Sequence, residues 1–154
     1  MKIEWNENLS TGVPKIDAQH KGLITLINAL EEAVESRPED AHHLHDKTYK
    51  ATIIGLVMKL RDYAFYHFYT EEIFMRSIRY PGYIRHRREH DIFSLRLLKY
   101  EINVLEGDYM QAEDLLGFVM SWFSNHVRIT DMAYVPHAST SGGEGSAQKE
   151  TEAG

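Results

Sequence analysis

The chain has 154 residues, 43% hydrophobic and 26% charged, with a formal net charge of −6 and no cysteine; that is enough for one domain with a sizeable core. The acidic balance speaks against nucleic acid as a partner, because phosphate binding needs a basic face, and the missing thiols exclude disulfides, thiolate metal sites and cysteine-ligated iron–sulfur clusters. No apolar run is long enough to span a bilayer, and Met1-Lys2-Ile3-Glu4-Trp5 lacks the apolar core of a signal peptide, so the expectation is a cytoplasmic protein with no membrane insertion.

Residues 1–16 read as an extended arm, since Gly12 and Pro14 interrupt any helix. Asp17 reads as a helix N-cap, with orientation of His20 as its lesser role. From there His20, Leu23, Ile24, Ile27 and Leu30 trace a helical stripe that Ser36-Arg37-Pro38 ends. A polar loop follows to about Asp46; its His42, His43 and His45 read as solvent-exposed rather than as a further metal site. In the second helix Ile53, Leu56, Leu60, Tyr63, His67, Glu71 and Phe74 recur at steps of three and four, and Pro81-Gly82 stops it. The third carries His86, His90, Phe93, Leu97 and Tyr100 on one face and leaves through Glu106-Gly107-Asp108. The fourth carries Leu115, Val119, Trp122, His126 and Ile129 and should end near Val135-Pro136. From Ser139 to Gly154 no large apolar residue occurs, so nothing offsets the entropy of ordering that stretch. The expected fold is all-α: an up-down-up-down antiparallel four-helix bundle with an extended N-terminal arm and a disordered C-terminal tail. Its folded unit is 1–137 and its flexible polar tail 138–154. A monomer is expected, because no helix shows an extra apolar stripe on its outer face.

Five histidines and two carboxylates fall on or beside those stripes: His20, His67, Glu71, His86, His90, His126 and Asp131. A single histidine on an apolar face is most simply a hydrogen-bonded core residue. Five, with two carboxylates, would need many compensating hydrogen bonds if no metal were present. Seven donors exceed what a tetrahedral ion uses and suit two octahedral ions with the carboxylates bridging and one position open; imidazole and carboxylate without thiolate fit iron, manganese or zinc. His126 and Asp131 stand five apart, which on an ideal helix turns the second away from the first. A π-type turn or unwound end near Ile129-Thr130 is therefore predicted. Phe123, about one turn before His126, is placed to line a pocket at the metals, with ordinary core as its even alternative. Glu72 points to another face than Glu71 and reads as a solvated charge. His137 reads as no ligand, and Arg79, Arg85, Arg87 and Arg88 as a solvated basic patch. His86-Arg87-Arg88-Glu89-His90 also reads H-x-x-E-H, a zinc-protease pattern with Glu89 as general base, but it leaves the other five donors unexplained.

The stretches Ile16-Asp17-Ala18-Gln19-His20-Lys21, His67-Phe68-Tyr69-Thr70-Glu71-Glu72-Ile73-Phe74-Met75, His86-Arg87-Arg88-Glu89-His90 and Trp122-Phe123-Ser124-Asn125-His126 through Asp131 carry a resemblance. The chain resembles the bacteriohemerythrins, single-domain bacterial relatives of the oxygen carrier hemerythrin, over about residues 5 to 135. The resemblance implies a non-heme di-iron site cycling between Fe2+ and Fe3+. His86, His90 and His126 would hold one iron and His20 and His67 the other, with Glu71, Asp131 and an oxo or hydroxo group bridging. It also implies that dioxygen binds at the open position of the two-histidine iron and is held there as hydroperoxide. A ligand set of mostly neutral imidazoles favours such reversible binding over oxidative chemistry. Carboxylate-rich di-iron sites use Glu-x-x-His on two helices, and the only match here, Glu39-Asp40-Ala41-His42, lies in the loop. The expected function is oxygen binding for storage, delivery or sensing, not catalysis. A redox or iron sensor or a weak di-iron oxidase is the alternative, and an H-x-x-E-H zinc hydrolase the remote one.

Overall fold

A computed structural model describes residues 2–38 and 47–141, and the described chain is all-helical. The long helices are α1 (Pro14–Glu35), α2 (Lys47–Ser77), α3 (Tyr83–Leu105) and α4 (Gln111–Asn125), followed by a short α5 (Val135–Ser141). α1 packs on α2 and α4, α2 on α3, and α3 on α4, the ring of neighbours of an up-down-up-down bundle. The loop histidines 42, 43 and 45, the Glu39–His42 motif and residues 142–154 lie outside the described residues. None of the described helices is long and apolar enough to cross a membrane.

Most stripe residues pack as their spacing implies, but Leu56, Tyr63, Phe74, Tyr100 and Trp122 are only half-buried, and α2 buries Val57, Ala64 and Met75 as well. Leu23, Ile27 and Leu30 of α1 meet Ile53, Leu60 and Phe68 of α2, Phe93 and Leu97 of α3, and Leu115, Val119 and Phe123 of α4 in one apolar core. Ile16, Met75 and Tyr134 form a second, smaller cluster. Ile16 stands one turn before His20 and Met75 one turn after Glu71. The donors therefore sit between two apolar clusters. Arg61 of α2 pairs with the buried Glu101 of α3 toward the other end.

The arm differs from the expectation. Glu7–Leu9 form one turn of 3-10 helix, and α1 already begins at Pro14 with Val13 as its cap. Proline starts this helix instead of breaking it, because the first helical position needs no N–H and its fixed φ is already helical. Asp17 therefore lies inside the first turn and is not the cap. Its carboxylate accepts Ser10 Oγ–H at 2.6 Å, Thr11 N–H at 2.8 Å and Thr11 Oγ1–H at 2.8 Å, which ties the arm to α1. Burial alone would raise its pKa, but these hydrogen bonds hold it below the ordinary value.

α2 and α3 end in the same way. Tyr80 N–H donates to Met75 C=O and Arg79 N–H to Arg76 C=O; Asp108 N–H donates to Asn103 C=O and Gly107 N–H to Val104 C=O. This paired bonding needs a left-handed residue just after the helix: Arg79 at φ 53° and Gly107 at φ 104°. α2 is thus closed before Pro81-Gly82 is reached. Gly107→Ala should cost about 1–2 kcal/mol and Arg79→Gly should gain about 0.5–1 kcal/mol, read as opposite shifts of the urea unfolding midpoint. Shifts of the same sign would refute this account.

The end of α4 behaves as its spacing predicts. His126–Thr130 form a π turn in which Asp131 N–H donates to His126 C=O. The wider turn lets Asp131 face the same side as His126 and rolls Ile129, expected on the apolar stripe, out to 68% exposure. The chain then tightens through Asp131–Tyr134 and continues as α5 to Ser141, past the end expected near Val135-Pro136. Pro136 is tolerated because it falls in the first turn of α5.

Candidate metal centre

All seven sequence-predicted donors meet, and all are buried. α1 supplies His20, α2 His67 and Glu71, α3 His86 and His90, and the π turn with the residue after it His126 and Asp131. They form two groups that share Glu71: His86, His90 and His126 with Glu71, and His20, His67 and Asp131 with Glu71, the donor atoms of each group lying within 4.8 Å of one another. In the first, the Nε2 atoms stand 3.2 Å apart for His86–His90, 3.1 Å for His90–His126 and 3.1 Å for His126–His86. Glu71 Oε2 lies 3.1 Å from His90 Nε2, 3.2 Å from His86 Nε2 and 3.7 Å from His67 Nε2. Asp131 turns Oδ1 to His126 Nε2 at 3.0 Å and His86 Nε2 at 3.3 Å, and Oδ2 to His20 Nε2 at 3.1 Å. Each carboxylate thus faces both groups.

Three of the imidazoles are braced from behind by the preceding helix. His67 Nδ1 donates to Gln19 Oε1 at 3.1 Å, and Gln19 Nε2 donates to Thr70 Oγ1 at 3.0 Å. His90 Nδ1 donates to Glu72 Oε1 at 3.1 Å. His126 Nδ1 donates to Glu89 Oε2 at 3.0 Å, which also accepts Thr130 Oγ1–H at 2.9 Å. Glu72 is therefore not a merely solvated charge. Glu89 stands behind His126 and not before the paired histidines, where a zinc-bound water would need its base. Glu72→Ala should weaken metal binding about 10–100-fold without unfolding the bundle, measured by competition with a chelator of known affinity; unchanged affinity would deny Glu72 this role.

With the proton on Nδ1, each braced imidazole aims a lone pair at its neighbours. The Nε2 atoms of His86, His90 and His126 crowd to 3.1–3.2 Å of one another. His20 Nε2 and both oxygens of Asp131 have only one another and the neighbouring imidazoles to face, at 3.0–3.3 Å. A cation among them removes the conflict. Seven converging donors exceed the four that one tetrahedral ion uses, and they divide into two groups that share Glu71, so the donor set fits two cations.

Without cations the charges act on one another. Burial disfavours an imidazolium, but Asp131 and Glu71 override it at His86, raising its pKa from 6.5 to about 9, and they push His20 upward too. His90 is raised by Glu71 and Glu72 against its burial. At His67 burial wins and the pKa falls to about 4. Burial and their mutual repulsion would raise both carboxylates, yet the surrounding imidazoles hold Glu71 and Asp131 well below the usual range.

Tyr134 O–H donates to Glu71 Oε1 at 2.7 Å; burial, with Glu71 and Asp131 nearby, raises its pKa far above the ordinary tyrosine value and keeps it a donor. Phe68 stacks on His90 and Trp122 on His126, each with ring centroids 4.0 Å apart. Phe123 is buried with its ring 6.0 Å from that of His20, edge to face. His137 lies against Tyr80 at 5.2 Å, apart from the cluster. Gln19 and Tyr134 contact the cluster, and sequence reasoning does not single them out. The available signal is position: Gln19 precedes His20, and Tyr134 follows Asp131 by about one turn.

The family model of the hemerythrin HHE cation-binding domain matches residues 11–138. The bacteriohemerythrin of Pseudomonas paraeruginosa is 30% identical over 133 residues, covering 86% of this chain and 79% of that protein. That of Clostridium acetobutylicum is 30% identical over 134 residues, covering 85% and 97%. A crystal structure of wild-type hemerythrin superposes with a TM-score of 0.77 at 24% identity, covering 90% of this chain and 99% of that one.

Proposed function

The chain belongs to the hemerythrin family, and from that premise we propose that it binds dioxygen reversibly at a pair of iron ions held inside the bundle. One observation supports this most: a buried set of imidazole nitrogens and carboxylate oxygens converging in two groups that share Glu71. His86, His90 and His126 would hold one ion and His20 and His67 the other, with Glu71 and Asp131 joining them. The iron pair, when bound, supplies reversible two-electron chemistry toward dioxygen.

The chain's own residues set the conditions for that chemistry. Gln19, Glu72 and Glu89 hold the Nδ1 protons of His67, His90 and His126, so each Nε2 stays a donor. Tyr134 fixes the angle of the Glu71 carboxylate. The point beside His20 and His67 has one imidazole fewer than the other, which leaves room for a small diatomic ligand. Phe68, Trp122 and Phe123 keep water from the cluster. Five neutral imidazoles against two carboxylates favour binding and release over turnover, so the proposed role is storage, delivery or sensing of oxygen and not catalysis, with 1–137 as the unit that performs it.

The test is a metal count on the purified protein, with visible spectra of the reduced form before oxygen, after it and after its removal. Two irons per chain and a band that comes and goes with oxygen are expected. A single zinc without an oxygen response would overturn the proposal, and two irons that oxidise irreversibly would replace it with redox sensing or oxidase chemistry. Phe123→Ala should leave the metal count unchanged and shorten the lifetime of the oxygen-dependent band several-fold, because water gains access beside His20. An unchanged lifetime would make Phe123 ordinary core.

A further inference from the structure

The outer face of α3 carries an apolar stripe that the bundle does not bury. Ile84, Ile92, Leu95, Leu98, Ile102 and Leu105 are all exposed, Leu95 to 70%. Positions 84, 88, 91, 95, 98, 102 and 105 alternate steps of four and three, the spacing of a helix–helix seam; five of them are apolar, Arg88 and Asp91 are charged, and Ile92 lies beside the seam. They lie away from His90, Phe93 and Leu97, which face the core. Scattered exposed leucines need no explanation, but six apolar residues along one helix do. The expectation of a monomer rests on there being no such stripe, and that premise does not hold.

The charges at its ends indicate what covers it. Arg88 and Glu106 are both exposed and stand five full turns apart, about 27 Å, on the same side of the helix. Neither forms an ion pair within the chain among the described residues. A second copy laid antiparallel, with a two-fold axis near Leu97, brings each Arg88 to the other copy's Glu106. The same axis sets Ile92 against Ile102. A parallel copy would set arginine on arginine and glutamate on glutamate.

We propose that a second copy of this chain docks on α3, antiparallel, in a two-fold dimer that is independent of metal. The interface is isologous, each stripe serving as both surface and partner. A single helix face lies at the small end of stable interfaces, so the dimer dissociates in the micromolar range.

Sedimentation velocity on the full chain, metal-loaded and metal-free, from about 1 µM to about 1 mM tests this across the range where such an interface dissociates. A concentration-dependent dimer is expected in both forms. Leu95→Asp, at a solvent-facing position that leaves the core intact, should give a monomer with unchanged circular dichroism. Arg88→Glu and Glu106→Arg should each raise the dissociation constant at least tenfold, and the two together should restore it. A wild-type monomer at the highest concentration, a dimer indifferent to Leu95→Asp, or a double variant no better than either single one would overturn the proposal.

Discussion

Metal-free protein is expected to be less stable than the loaded form by roughly 5 kcal/mol or more, and unusually sensitive to pH. The reason lies in the converging donors: without cations, only protons can relieve them. His86, raised from 6.5 to about 9, contributes stability that is complete below pH 6.5 and is lost as pH rises through about 9. His67, lowered to about 4, is buried neutral; its contribution is complete above pH 6.5 and is lost as pH falls toward 4. Glu71 and Asp131, both held low, act in the same direction as His67 on the acid side. Metal-free stability should therefore peak near pH 6.5 and fall on both sides, toward 4 and toward 9, whereas loaded protein should stay level on the alkaline side, having no such proton to lose. Urea unfolding across pH, with and without metal, measures this. Superimposable curves would mean that the cluster holds no stabilising cation.

Glu71→Gln should lower the metal content from two ions per chain to less than one, while His67→Ala should leave about one. Glu71 Oε2 lies within hydrogen-bonding range of His86 and His90 and 3.7 Å from His67, so its charge serves both positions. Glutamine keeps the size of the side chain and an oxygen for Tyr134 but removes the negative charge that lets two cations sit close together. His67 belongs to one group alone, and its loss spares the three-histidine position. Metal analysis of both variants, with circular dichroism to confirm folding, is sufficient. Two ions retained in Glu71→Gln would refute the shared role.

The donors are legible in the sequence because each combines two signals, a place on an apolar helix stripe and a metal-binding side chain. The π turn is legible for a related reason: only a widened turn reconciles the spacing of His126 and Asp131 with a shared face. Glu72 shows where such inference ends. It does lie off the stripe of its own helix, but His90 comes to it from α3, and contacts between helices are not written in the periodicity of one. Gln19 and Tyr134 are hidden in the same way. Proline misleads in two directions: Pro14 starts a helix, and Pro81 follows an end that Arg79 has already made. The outer stripe of α3 escapes because the inner, histidine-bearing face of the same helix dominates its pattern.

The bracing of the imidazoles runs in one direction along the chain. Gln19 of α1 holds His67 of α2, Glu72 of α2 holds His90 of α3, and Glu89 of α3 holds His126 beyond α4. On a ribosome, where the N-terminal part emerges first, every brace leaves the exit tunnel before the histidine it will orient. Each new helix meets a waiting acceptor, and the last segment to appear, which carries His126 and Asp131, completes both donor groups at once. The order of synthesis thus matches the order of the braces, and the metal pocket closes only when synthesis of the bundle is nearly complete.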